Sequence, residues 1–191
     1  MGSTAERVVA GAPCPVLTVR PQDKTPTAAR PAGAAPPAIR RILAPVDFSD
    51  CSLEALEYAV QVAMQFHAAL TIFHVMEPVS YSLDFTLSHA GAARATRDRL
   101  ESRLAELAAP LKRNGLETDF FLRGGLPADS ILDQEREPAY DVIVMGTHGR
   151  RGVSHLVSGS VAEAVLRRAT CPVLSVKSPK FSAGHRRAAE H

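Results

Sequence analysis

Between residues 41 and 177, short apolar runs alternate with segments of helical period, and that alternation leaves few folds open. Ile42, Leu43, Ala44, Pro45 and Val46 form the first run, which ends at Asp47 and reads as a buried strand. Ser49 is placed to cap the helix that follows, with Asp50 in its electropositive first turn. Leu53, Leu56, Val60, Met64 and Phe66 recur at helical spacing, which predicts a helix over 50–67. Residues 70–76 (LTIFHVM) are the second strand, stopped by Pro78, and 78–90 have no period and read as loop. Leu100, Leu104, Leu107 and Leu111 make the apolar stripe of an amphipathic helix over 92–111. Pro110 is expected to kink or end that helix, and Gly115 suits the turn after it. The third strand is 117–123, followed by a Gly-Gly-Leu-Pro turn and a short helix over 128–137. Residues 141–145 (DVIVM) are the fourth strand, 159–168 the last helix, and 171–176 (CPVLSV) the fifth strand.

Strands and helices alternating at this length predict an α/β fold, Rossmann-like in build. It is an open five-stranded parallel sheet with helices on both faces. With right-handed crossovers the strand order is 3-2-1-4-5. The carboxyl ends of the first and fourth strands then flank the switch point, where open α/β sheets hold ligands.

The 191 residues suffice for one such domain with appendages and no covalent staples. Three cysteines without a CxxC pair argue against a disulfide scaffold or zinc ribbon and fit a reducing, cytoplasmic setting. No apolar run reaches membrane-spanning length, and Glu6 and Arg7 interrupt the N-terminal apolar stretch as no signal peptide would. Residues 1–40 carry five basic and two acidic side chains, residues 178–191 three and one, leaving 41–177 with 14 basic and 17 acidic. The compact part is therefore mildly acidic and poor in aromatics, which argues against nucleic acid as a partner. Residues 21–40 hold five prolines and no apolar face, so they read as a mobile linker, and 178–191 as a polar basic tail.

Two unusual stretches fall at the two switch-point strand ends. The first is Pro45-Val46-Asp47-Phe48-Ser49. The second is Gly146-Thr147-His148-Gly149, then nine residues, then Gly159-Ser160 opening the last helix. Glycines let main-chain amides approach a phosphate closely, and a helix start adds donors and a positive dipole end. The stretch reads as a two-part anion cradle.

With the strand-two His74-Val75 ending and the CPVL of the fifth strand, this combination resembles the universal stress protein family, in its nucleotide-binding branch, over residues 41–177. The resemblance implies an adenine nucleotide alpha-hydrolase-like fold that binds ATP, with Mg or Mn on the phosphates. Pro45, Val46 and Asp47 would lie at the nucleoside, and the Val75 main chain at the adenine edge. Met145, Gly146, His148 and Gly149 would line the ribose and phosphate path, and Gly159, Ser160 and Val161 would hold the phosphates. The function so implied is a regulatory, stress-response nucleotide-binding module. The alternatives are an ATPase or nucleotide-handling enzyme of the same α/β group, or a regulatory partner of a transporter or kinase.

Neither GxxxxGK[ST] nor GxGxxG occurs, and no carboxylate stands beside the phosphate loop to hold a metal or orient water. Binding with at most slow hydrolysis is therefore expected, and no catalytic residue is assigned. Gly146 and Gly149 also suit plain turns, and Asp47 a first-turn helix charge. His74 reads as a packed strand-end histidine, and Cys51 as a small buried thiol or a redox switch.

Residues 2–20, GSTAERVVAGAPCPVLTVR, align without gaps to 159–177, GSVAEAVLRRATCPVLSVK, with 11 of 19 positions identical. Residues 1–20 thus look like the last helix and strand of a preceding repeat, and the expectation is a remnant of a tandem protein. The lone Gly2-Ser3 lacks upstream glycines and should bind no nucleotide. Family members commonly dimerise through the fifth strand. Either the chain forms a homodimer through 171–176, or residues 14–19 cover that edge from within the chain.

Overall fold

The computed structural model describes residues 7–9, 11–20, 38–78, 87–137, 140–147 and 159–177. Its elements are β1 (Val16–Thr18), β2 (Arg41–Pro45), α1 (Asp50–Phe66), β3 (Ala69–Met76), α2 (Leu87–Arg113), β4 (Thr118–Gly124), α3 (Pro127–Arg136), β5 (Val142–Gly146), α4 (Ser160–Arg168) and β6 (Val173–Val176). Residues 7–9 are helical as well.

The sheet has six strands in the order β1-β6-β5-β2-β3-β4. From β4 to β6 all pairings are parallel, and these five strands stand in the relation expected from the sequence. The expected five-stranded, all-parallel sheet is corrected by β1. Val16–Thr18 pairs antiparallel with Val173–Ser175 and makes the sheet mixed. The physical reason is the apolar repeat at 14–19: β6 would otherwise end the sheet with unpaired amides and carbonyls.

Strands of a sheet covered on both faces must be apolar on both, and β2 shows it. Ile42 and Ala44 join Leu70, Ile72, Val142 and Val144 in a core beneath α1 and α2. Leu43 points the other way, with Phe73, Ile143, Met145 and Val173, beneath α3 and α4. Val9 and Val16 of the N-terminal segment pack against this second core.

Three local readings change. The inward face of α1 is built from Ala55, Leu56, Ala59 and Ala63, while Met64 and Phe66 are exposed. Small residues let the helix sit close to the sheet, so helical spacing alone points to the wrong large side chains. Second, α2 starts at Leu87, inside the expected loop. Third, it runs past Pro110 to Arg113. One lost amide bond in a last turn is tolerated when Leu104 and Ala108 anchor the helix in the core.

Glu135 of α3 is buried and supports the entry to β6. One carboxylate oxygen accepts from the Thr170 and Cys171 amides, each at 2.6 Å, and from the Thr170 hydroxyl at 2.7 Å. Burial, reinforced by the Glu135 charge and a hydrogen bond to it, pushes the Cys171 thiol up from 9.0 to about 12. Only the thiolate is nucleophilic, so Cys171 stays inert at physiological pH. Cys14 is exposed and Cys51 buried. Iodoacetamide at pH 8 should therefore label Cys14 first, with Cys171 slower than an ordinary thiol by about a thousandfold, following its thiolate fraction. Peptide mass mapping checks the order, and equal labelling of Cys14 and Cys171 would contradict it.

Candidate functional site

The ladders show where the sheet opens. β2 stays paired with β3 for five residues, to Pro45 and Phe73. It pairs with β5 only at Ile42–Val142 and Leu43–Ile143. Beyond those pairs β2 and β5 diverge, while β5 remains paired with β6 through Gly146 and Val176. The carboxyl ends of β2 and β5 therefore part at the switch point, the place where open α/β sheets hold a ligand crevice.

One wall is the bend after β2. Pro45 and Val46 are buried, and the Val46 carbonyl accepts from His74 Nδ1 at 2.6 Å. His74 is thus a packed residue that fixes the bend. The Asp47 amide donates to Ser52 Oγ at 3.2 Å. Asp47 Oδ1 accepts from the Ser49 amide at 3.0 Å and the Ser49 hydroxyl at 2.5 Å. Ser49 in turn caps α1, accepting from the Ser52 amide at 3.3 Å. Asp47 is both a turn-forming carboxylate and a partly exposed group at the crevice mouth.

Val75 lies just past the end of the β2–β3 ladder. In a parallel strand, alternate residues direct their main-chain groups to the same side. Val75 shares the side of Phe73, whose carbonyl accepts the Val46 amide at 2.8 Å. Its main chain therefore faces the crevice, where β2 has already turned away.

The other wall is β5 and the start of α4. Thr147 is buried, and its carbonyl accepts the Gly159 amide at 2.7 Å. That bond, which the sequence does not reveal, brings residues 147 and 159 together. Of the proposed phosphate residues, Gly146, Gly159, Ser160 and Val161 are thereby brought to one place. His148 and Gly149 lie outside the described residues. Gly159 is the α4 N-cap with φ −61° and ψ 147°, and no side chain caps the helix. Its own amide is engaged by Thr147, so the helix-start donors are those of Ser160, Val161 and Ala162.

Two glycine and methionine roles are sharpened. A Cβ on Gly146 would lie 2.9 Å from both the Cys51 carbonyl oxygen and Sγ, so α1 packing by itself requires glycine here. The Met145 side chain is buried in the second core, which leaves its main chain for any ligand. Cys51 is buried as well, with Sγ 3.5 Å from the Val176 carbonyl. Sequence reasoning gave no role to Ser52, or to Phe48 and Thr147 within the two stretches it singled out. A serine three residues after the cap at Ser49 was the available signal for Ser52.

Among the described residues no helix is long and apolar enough to cross a membrane. No group of three or more His, Cys, Asp or Glu among them could hold a metal ion.

Comparison with known proteins places this geometry. Universal stress protein MJ0531 of Methanocaldococcus jannaschii is 32% identical over 142 residues, covering 74% of this chain and 84% of the relative. The crystal structure of a universal stress protein from Archaeoglobus fulgidus is 26% identical with a TM-score of 0.63, and covers 93% of this chain but 54% of its own. A universal stress protein crystallised in complex with cAMP is 26% identical with a TM-score of 0.57, covering 73% and 98%. The model of the universal stress protein family matches residues 38–177, the whole of the parallel sheet with its four helices, and the chain belongs to that family.

Proposed function

We propose that the chain is an ATP-binding regulatory module of the stress response, acting in the cytoplasm, with the nucleotide held in the crevice between β2 and β5. The observation that carries this reading is the α4 start. Serine, threonine, aspartate and asparagine are the usual helix caps, and φ −61° makes no demand for glycine at 159. A glycine there leaves the Ser160 and Val161 amides to an anion, where the helix dipole also favours one. The adenine edge would meet the Val75 main chain, Asp47 the nucleoside, and His148 and Gly149 of the signature the phosphate path. The relative in complex with cAMP supports an adenine nucleotide as the ligand class.

A Mg or Mn ion would arrive on the phosphates as part of the ligand. The stretch 146–160 holds no Asp or Glu to orient water, which supports binding with at most slow hydrolysis. ATP would then act as a conformational ligand that orders the 146–160 loop and biases a surface read by partners.

The test is direct. Protein purified without added nucleotide is denatured, and the supernatant is resolved by chromatography. ATP released in proportion to protein supports the reading. An empty supernatant, together with no heat on titration with ATP, overturns it.

We also propose that residues 1–20 are the last helix and strand of a repeat, joined by a linker to the domain at 41–177. Val8 and Val19 are exposed, whereas their counterparts Val165 and Val176 are buried. The segment therefore carries the apolar pattern of a complete repeat, with its own sheet replaced in part by β6. On this reading β1 occupies the edge that would otherwise pair two copies. The intact chain should scatter light as a monomer, and a chain lacking residues 1–38 as a dimer. Equal mass per particle for the two would refute edge blocking.

A further inference from the structure

We propose that Arg103 of α2 is a positioning residue for the crevice, holding through Phe48 the bend that presents Asp47. This rests on the nucleotide reading above.

Phe48 has φ 61°, in the left-handed region that bulky residues avoid. Such a conformation persists where the surroundings over-determine it, and it concentrates at ligand sites. The Phe48 ring is contacted by two groups. The His74 ring lies with its centroid 4.8 Å away, tilted by 53°. The Arg103 guanidinium lies over the ring, 4.0 Å from its centroid. His74 is buried in the sheet and bonded to Val46. Arg103 is exposed, and among the described residues it enters no ion pair, although Arg97 on the same helix pairs with Glu101 at 3.0 Å. Its cation is thus placed on an aromatic face instead of a carboxylate, an arrangement worth about a two- to fivefold bias at an exposed site.

The consequence is a mechanical link. Asp47 is tied to α1 through Ser49 and Ser52, while the next residue is tied to α2 through Arg103. Loss of the clamp lets the 46–49 bend leave the ligand-competent conformation, and apparent affinity falls by the competent fraction.

The experiment titrates ATP into the full chain and into Arg103→Ala, Arg103→Gln and Arg103→Lys, with amide hydrogen exchange followed at residues 47–49. Ala and Gln should weaken ATP binding by about two- to fivefold, Lys should bind as the parent does, and exchange at 47–49 should quicken in Ala and Gln. In a Phe48→Leu background, Arg103→Ala should have no further effect, which a merely stabilising arginine would not show. If the parent binds ATP and Arg103→Ala binds it equally well, the proposal is overturned. If the parent binds no nucleotide, the crevice reading fails separately, and unchanged exchange at 47–49 then overturns the clamp.

Discussion

Replacing Gly159 with aspartate is expected to cut ATP affinity by about a hundredfold while leaving the fold as stable as the parent or slightly more so. Aspartate is a strong N-cap, and its carboxylate accepts from the second or third helical amide. In α4 the second amide is that of Val161, a donor assigned to the phosphates, and the carboxylate would set a negative charge where the triphosphate must lie. Loss of one charge-assisted hydrogen bond together with the like-charge repulsion corresponds to about 3 kcal/mol, hence the hundredfold. The stability change runs the other way. An acidic group at a helix N-terminus is worth about 0.5 kcal/mol, which raises the thermal midpoint by a few degrees at most. Opposite signs in the two readouts separate a ligand effect from damage to the fold. Calorimetric titration and a thermal melt measure both, and unchanged affinity would remove the phosphates from α4.

The second large effect concerns Gly146 and is independent of any ligand. A side chain there must enter space already held by Cys51, whose carbonyl oxygen and Sγ both lie 2.9 Å from the Cβ position. The carbonyl belongs to the first turn of α1 and cannot rotate away. Gly146→Val should therefore lower unfolding free energy by about 3 kcal/mol or more, through overpacking at a buried helix–strand crossing. Cys51→Ala should not rescue it, because the backbone oxygen remains. Denaturant midpoints of the single and double variants test this. A midpoint unchanged in Gly146→Val would mean that α1 shifts freely against β5, contrary to its place in the core.

Much of the architecture was legible because apolar period reports burial directly. β2 and β5 left little room for another reading: runs such as Ile42–Val46 and DVIVM are short and apolar on both faces, as a covered parallel strand requires. The relation of those strands followed from handedness, and the switch point from the order. What remained hidden depended on contacts distant in sequence. The alanine face of α1 is inward because the sheet is close, a fact the spacing of Met64 and Phe66 does not contain. Pro110 sits inside α2 because core contacts outweigh a lost amide bond. β1 joins β6, more than 150 residues further along the chain, a pairing the repeat at 2–20 allowed but did not impose.

The site divides along the same line. Glycines and a strand-end carboxylate marked the two walls of the crevice in the sequence itself. Their reasons differ once the walls meet: Gly146 answers to Cys51, Gly159 to the absence of a cap, and the Gly159–Thr147 bond to the loop between them. The bend at Asp47 is held by Ser49, Ser52, His74 and Phe48, and of these only Ser49 and His74 were given a role from the sequence.

One structure decides the central claim. Crystals of the full chain grown with excess ATP and Mg should show the triphosphate against the Ser160 and Val161 amides, and the adenine edge against the Val75 main chain. A crevice filled by protein side chains, or a nucleotide bound elsewhere on the sheet, would contradict it.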